Sequence, residues 1–164
     1  MGQMIELTSA DGARIPAYLA EPAGKPRGAV VVVQEIFGIN RHIREVADGY
    51  AADGYLAVAP ATFHRVKPGV ELDYSEAGMT EGIALKQAAE ALPAPGVQAD
   101  LQAAVDEAAR RSGGKVGIVG YCWGGLLAWR AACQLNGLSA AVPYYGGGMR
   151  SEEHTSELQS HGLI

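Results

Sequence analysis

The stretch Lys115-Val-Gly-Ile-Val-Gly-Tyr-Cys-Trp-Gly-Gly-Leu-Leu127 constrains what this chain can fold into more than any other. Val116 to Val119 is an apolar run long enough for a buried strand and too short for a helix. Gly120-Tyr-Cys122-Trp-Gly124 follows, and Leu126 to Leu135 reads as an apolar helix. Strand, Gly-x-nucleophile-x-Gly and helix together make a nucleophile-elbow pattern, with cysteine where serine is usual. A strained strand-to-helix turn needs Gly120 and Gly124, because a Cβ at either place would strike neighbouring backbone. The helix after the turn aims its N-terminal amides at Cys122, favouring thiolate and any oxyanion formed when that thiolate attacks a carbonyl.

Two other readings compete for the same residues. A cysteine beside glycines is often a small buried residue with no chemistry. Glycines after a strand also mark dinucleotide-binding turns, but that fingerprint is Gly-x-Gly-x-x-Gly with an acidic residue about 20 positions on. The spacing here differs, and no Asp or Glu occurs between Glu107 and Glu152.

At 164 residues the chain is expected to form one domain with a sizeable core. Its net charge of −5 includes no basic run, which argues against nucleic acid as a partner. No apolar run approaches the 18 or so residues of a membrane span, and Met1-Gly-Gln-Met-Ile5 lacks the regions of a signal peptide. Cys122 and Cys133 fall on the elbow and its helix, too far apart along that helix for a disulfide. Both read as free thiols of a reducing cytoplasm. Neither Cys nor His shows metal-ligand spacing, so no metal and no cofactor is expected.

Taken in order, Met4 to Thr8 and Arg14 to Leu19 are short strands around the turn Ala10-Asp11-Gly12. Ala29 to Val33 is a β-branched run of the kind buried on both faces of a parallel sheet. Asn40 is a candidate N-cap for a helix whose apolar face is Ile39, Ile43, Val46, Ala47 and Tyr50. Tyr55 to Ala59 is a further strand. Thr62 to Asp73 reads as a long functional loop, and Met79 to Leu92 as a helix weakened by Gly78 and Gly82. Val97, Leu101, Ala104, Val105 and Ala108 share one helical face, and Leu138 to Tyr145 is a last strand. Alternating strands and helices after an opening antiparallel hairpin imply an α/β fold, a mostly parallel sheet with helices on both faces.

Gln34-Glu-Ile-Phe-Gly-Ile-Asn40, in register with Gly120-Tyr-Cys-Trp-Gly-Gly125, resembles the dienelactone hydrolase family of the α/β-hydrolases (carboxymethylenebutenolidase-like). The likeness runs from about Ile5 to Gly148. It implies that Cys122 is the nucleophile and that Glu35 holds the resting thiol and moves when substrate binds. It also implies that the backbone amides of Ile36 and Trp123 form an oxyanion hole. The substrate implied is a small ester or lactone. Such enzymes hold a substrate carboxylate with arginine; Ala77 to Ala84, the corresponding stretch, has none, leaving Lys86 or Arg65 as nearby cations.

In an α/β-hydrolase the acid and histidine of the triad follow the nucleophile on later strands. After Cys122 one clear strand remains, followed by the polar run Arg150 to His161. The expectation is therefore an incomplete hydrolase-like domain over 1–149, with the last two strands and their helices missing, and a non-native polar tail over 150–164. That tail resembles a translated sequencing adapter. The triad Asp and His are then absent, His154 and His161 inherit no role, and whether any of His42, His64, His154 and His161 acts as base is open. The chain is expected to be nearly inactive, or else a non-catalytic α/β binding or regulatory fragment. Its oligomeric state is open.

Overall fold

The structure, a computed structural model, describes residues 2–148. The chain opens with the expected hairpin, β1 (Gln3–Thr8) antiparallel to β2 (Arg14–Ala20). Gly12 at the turn has φ +85°, and the Asp11 carboxylate accepts from the Ala13 N–H at 3.1 Å. The order thereafter is β3 (Ala29–Val33), α1 (Arg41–Ala52), β4 (Leu56–Pro60), α2 (Glu76–Glu90) and α3 (Val97–Ser112). The chain then runs through β5 (Val116–Tyr121), α4 (Trp123–Gln134) and β6 (Leu138–Tyr144).

The six strands form one sheet in the order β1-β2-β4-β3-β5-β6. β2 pairs antiparallel with β4, while β4, β3, β5 and β6 are mutually parallel. The chain goes from β3 outward to β4, then crosses back to β5 on the other side of β3. The direction of winding therefore reverses between β3 and β5. In an open parallel sheet the crevice beyond the strand C-termini at such a reversal is where ligands bind.

Successive residues of a strand face opposite ways, which divides the core in two. Val32, Ala57, Ala59 and Val119 meet Ile43 and Ala47 of α1 on one side. Val31, Val33, Val58 and Ile118 meet Leu101, Val105 and Ala108 of α3 and Leu127 and Ala131 of α4 on the other. Asn40 caps α1 as its position predicts, accepting from the Ile43 N–H at 3.2 Å.

The 61–95 region is more ordered than its sequence suggests. α2 begins at Glu76, before the expected start at Met79, because Ser75 caps it by accepting from the Gly78 N–H at 3.0 Å. The two glycines that weaken this helix intrinsically are required by its surroundings. A Cβ at Gly78 would lie 2.2 Å from the Asp73 carbonyl oxygen, and one at Gly82 would lie 2.3 Å from that of Ile36. The preceding loop is tied down by the Leu72 N–H donating to Phe37 O at 2.8 Å and by the Arg44–Glu71 ion pair. α4 starts at Trp123, immediately after Cys122, where the apolar pattern alone suggests Leu126. The expected polar tail over 150–164 lies outside the described residues.

Candidate active site

Cys122 stands between the last residue of β5 and the first of α4, with φ 55° and ψ −120°. A positive φ costs a non-glycine residue energy and persists only where the surroundings enforce it. Here three contacts do so. The Cys122 N–H donates to Tyr144 O at 3.1 Å, while its own carbonyl accepts from the Gly125 N–H at 2.9 Å and the Leu126 N–H at 3.3 Å. The bend is tight enough that a Cβ at Gly120 would sit 1.8 Å from the Gly124 carbonyl oxygen, and one at Gly124 would sit 2.3 Å from that of Gln34. Gly125 is a third required glycine, its Cβ position lying 2.5 Å from Tyr144 O. Cys122 is partly exposed and unpaired, and Cys133 is exposed and free.

Glu35 leaves the C-terminal end of β3 beside this bend. Val33 is the register partner of Gly120, which sets the two loops next to each other across the β3–β5 pair. The carboxylate is held by two phenols from distant parts of the chain. Tyr74 donates to Oε2 at 2.8 Å and Tyr145 donates to Oε1 at 3.2 Å. The Tyr145 hydroxyl titrates above the ordinary tyrosine value, through desolvation first, then the charge of Glu35 and its hydrogen bond, then Cys122. Tyr74 is raised as well, by desolvation first, with Glu35 adding to it. Carboxylate, phenol and sulfur therefore share one cluster. The thiol–carboxylate contact that the family resemblance implies for the resting state is not among the hydrogen bonds of the described residues. Both Glu35 oxygens are occupied by tyrosines instead.

Neither the Ile36 nor the Trp123 backbone N–H donates to an acceptor among the described residues. The Trp123 N–H is a first-turn helix donor with no intrahelical partner, and the Ile36 N–H lies on the loop after β3. Trp123 is 2% exposed, and its ring stacks on Phe63 with centroids 5.0 Å apart and planes 14° from parallel. An oxygen acquiring negative charge beside Cys122 would find donors of the kind that stabilise tetrahedral intermediates.

Other expected participants fall elsewhere. Arg65 is unavailable as a substrate anchor, because its guanidinium grips the fully buried Asp100 at 2.7 and 2.8 Å and Asp11 at 2.6 Å. Asp11 is in consequence held at about 2. Lys86 is partly buried on α2. His42 is exposed, its ring edge-on to Tyr74 at 6.5 Å. His64 lines a cavity of about 230 Å³ with Gln34 and Phe63, and its Nδ1 has no partner among the described residues. His154 and His161 lie outside those residues. Among the described residues no three His, Cys, Asp or Glu side chains gather as a metal site would need, and no helix is long and apolar enough to cross a membrane.

Tyr74, Tyr145, Gly125 and Phe63 are the site residues that sequence reasoning missed. The doubled Gly124-Gly125 offered a hint of close approach. No local signal could have found Tyr74 or Tyr145, which reach Glu35 across 39 and 110 positions of chain.

Comparison with known proteins follows the same lines. The family model described as "Dienelactone hydrolase family" matches residues 15–162. Carboxymethylenebutenolidases of Pseudomonas putida and Pseudomonas knackmussii are each 38% identical over 151 residues, which is 90% of this chain and 62% of theirs. The crystal structure of a candidate dienelactone hydrolase from Klebsiella pneumoniae superposes with a TM-score of 0.72 at 35% identity, covering 89% of this chain and 60% of that one. A dienelactone hydrolase-like promiscuous phosphotriesterase from metagenomic libraries gives a TM-score of 0.63 at 26% identity, over 89% of this chain and 60% of its own. The chain thus spans about three-fifths of the length of these relatives.

Proposed function

The chain belongs to the dienelactone hydrolase family, and from that premise we propose that it takes the acyl group of a small ester or lactone onto Cys122. The Cys122 thiolate attacks the carbonyl carbon, and the resulting oxyanion accepts from the Ile36 and Trp123 amides. The C–O bond then breaks to release the alcohol and leave a thioester. A lactone, the kind of substrate the relatives' name denotes, would keep its alcohol attached to the acyl group.

One observation carries this reading: Cys122 is held at positive φ between a strand and a helix, beside segments whose Ile36 and Trp123 amides have no acceptor among the described residues. Glu35 is assigned a regulating role. Its negative charge disfavours thiolate nearby, and Tyr74 and Tyr145 keep it within the cluster. A substrate that displaced it would remove that opposition.

Hydrolysis of the thioester needs a base to activate water. The sequence from Ala108 to Ser151 contains no Asp, Glu or His, so no triad partner follows Cys122 through β6. With no such partner between Cys122 and the end of β6, acylation is expected to outrun hydrolysis and leave the thioester on Cys122. Mixing the chain with excess p-nitrophenyl acetate should release close to one equivalent of p-nitrophenolate, with the acetyl group mapped to Cys122. Absence of that burst, or its survival in Cys122→Ala, would overturn the proposal. Thiol alkylation at fixed pH in Glu35→Gln tests the carboxylate's role; Cys122 should react faster than in the wild type, and an unchanged rate would remove that role.

A further inference from the structure

α2 touches both halves of the amide pair. Near its middle, Gly82 passes so close to Ile36 that an added Cβ would lie 2.3 Å from the Ile36 carbonyl oxygen and 3.1 Å from its Cγ1. At its last residue, Glu90 accepts from the Trp123 indole Nε1–H at 2.6 Å. Glu90 is in turn gripped by Arg130 of α4, whose Nη1 lies 2.9 and 2.8 Å from its two oxygens. The contacts at Gly82 and Glu90 are roughly two helical turns apart, a fixed length on a hydrogen-bonded rod.

The remaining supports act in the same direction. Phe63 stacks on the Trp123 ring from the loop after β4. Leu85 and Ala89 of α2 are buried in the same core cluster as Ile36, Phe63 and Trp123. Ile36 lies on the loop after β3, and no regular hydrogen-bonded element of its own holds it. Trp123 is the first residue of α4. The β3–β5 pairing and the close approach of Gly124 to Gln34 set the two segments side by side, and α2 adds a contact to each, at Ile36 and at the Trp123 indole.

Resting on the acyl-transfer reading above, we infer that α2 is a brace that sets the separation of the Ile36 and Trp123 amides, with Glu90 a positioning residue and Gly82 the required point of contact. Neither touches substrate. Glu90 acts by fixing the indole, and through it the first turn of α4. Gly82 acts by letting the helix seat against the Ile36 peptide. Displacing a donor by a fraction of an ångström weakens its hold on a developing oxyanion while leaving the sulfur as accessible as before.

The test compares two reactions of one thiol in the full chain. Alkylation by iodoacetamide needs a thiolate but no oxyanion hole. Acylation by p-nitrophenyl acetate needs both: an S–C bond forms, the C–O bond breaks, and p-nitrophenolate leaves with the electron pair. Glu90→Ala should slow acylation about tenfold or more, a fraction of the 10²–10³ seen for full loss of such a donor, with alkylation unchanged. Glu90→Gln, which keeps an acceptor for the indole N–H, should recover most of that rate. Glu81→Gln, on the same helix but paired with Lys67, should leave both reactions as in the wild type.

Gly82→Ala should slow acylation and shift the Ile36 amide resonance in a ¹⁵N–¹H spectrum, while Glu90→Ala should shift that of Trp123. Equal slowing of both reactions in Glu90→Ala, or no slowing of either, would overturn the brace. So would unmoved Ile36 and Trp123 resonances in both variants, whatever the kinetics. A wild-type chain that alkylates but never acylates would instead remove the acyl-transfer reading on which the brace rests.

Discussion

β5 and β6 lie side by side in one parallel ladder, yet they are different environments. Val119 and Val142 are register partners; the first is 2% exposed and the second 46%. β5 is covered by α3 and α4 on one face, and on the other Val119 is buried in the cluster that includes Ile43 and Ala47 of α1. Among the described residues β6 is the outermost strand, and a cavity of about 580 Å³ lined by Val30, Tyr50, Val119, Ala140 and Val142 opens along one face. The candidate site straddles this boundary. Cys122 and Trp123 come from the sealed side, whereas Tyr145, one of the two holders of Glu35, follows the open strand. The geometry at Cys122 is thus built on dense packing, and part of the Glu35 carboxylate's placement depends on the strand beside it.

The largest blow to the sealed side is Gly120→Ala, whose Cβ would lie 1.8 Å from Gly124 O in rigid backbone. It should cost on the order of 3–5 kcal/mol in urea unfolding and abolish acylation of Cys122. A soluble variant with a normal burst would show that the bend is less tight than described.

Matched deletions sharpen the contrast directly. Val119→Ala removes buried methyl groups and should cost about 1.5–3 kcal/mol, while Val142→Ala should cost less than about 0.5 kcal/mol. Equal losses would mean that β6 is covered in solution. An apolar edge strand is also a template for association. Val142→Lys is therefore expected to raise the soluble fraction of the chain, seen by light scattering, without changing the burst at Cys122.

At the boundary itself, Tyr74→Phe and Tyr145→Phe each free one Glu35 oxygen. A hydrogen bond to a charged group is worth roughly 1.5–3 kcal/mol when buried and less when exposed. Each change should shift the alkylation rate of Cys122 severalfold, the larger effect coming from Tyr74 with its shorter bond of 2.8 Å. Rates unaltered in both would detach Glu35 from the thiol.

The smallest expected effect concerns acid. Glu107 of α3 is lowered from 4.5 to about 2, by its hydrogen bond to Arg110 first and then by Arg111. A carboxyl depressed on folding stabilises the protein above its unfolded value and loses that contribution as pH falls through the folded one. Its share should fade between about pH 4.5 and about pH 2, amounting to at most about 1 kcal/mol after solvent screening. Glu107→Gln should flatten that part of the stability–pH curve; an unchanged curve would show that the pair contributes nothing.

Much of this architecture was legible beforehand, for local reasons. Ala29–Val33, Leu56–Pro60 and Val116–Tyr121 are strands within one or two residues of where the β-branched and apolar runs predict them, and Asn40 and the apolar face of α3 lie where spacing puts them. Less legible was α2, where Gly78 and Gly82 count against a helix locally and are demanded by Asp73 and Ile36, which lie outside it. Nor does an exposed-looking arginine such as Arg65 announce that it will be taken up by Asp100, 35 positions away.

By itself the sequence determined the order of strands and helices and the tight bend at Cys122, because apolar periodicity and glycine spacing act over a few residues. The tertiary structure alone decided that Tyr74 and Tyr145 share Glu35, that α2 meets both Ile36 and Trp123, and that Val119 is buried where its register partner Val142 is exposed. Those outcomes depend on which distant segments come within a hydrogen bond's reach. Such distances belong to the packed sheet, and no local stretch of chain encodes them.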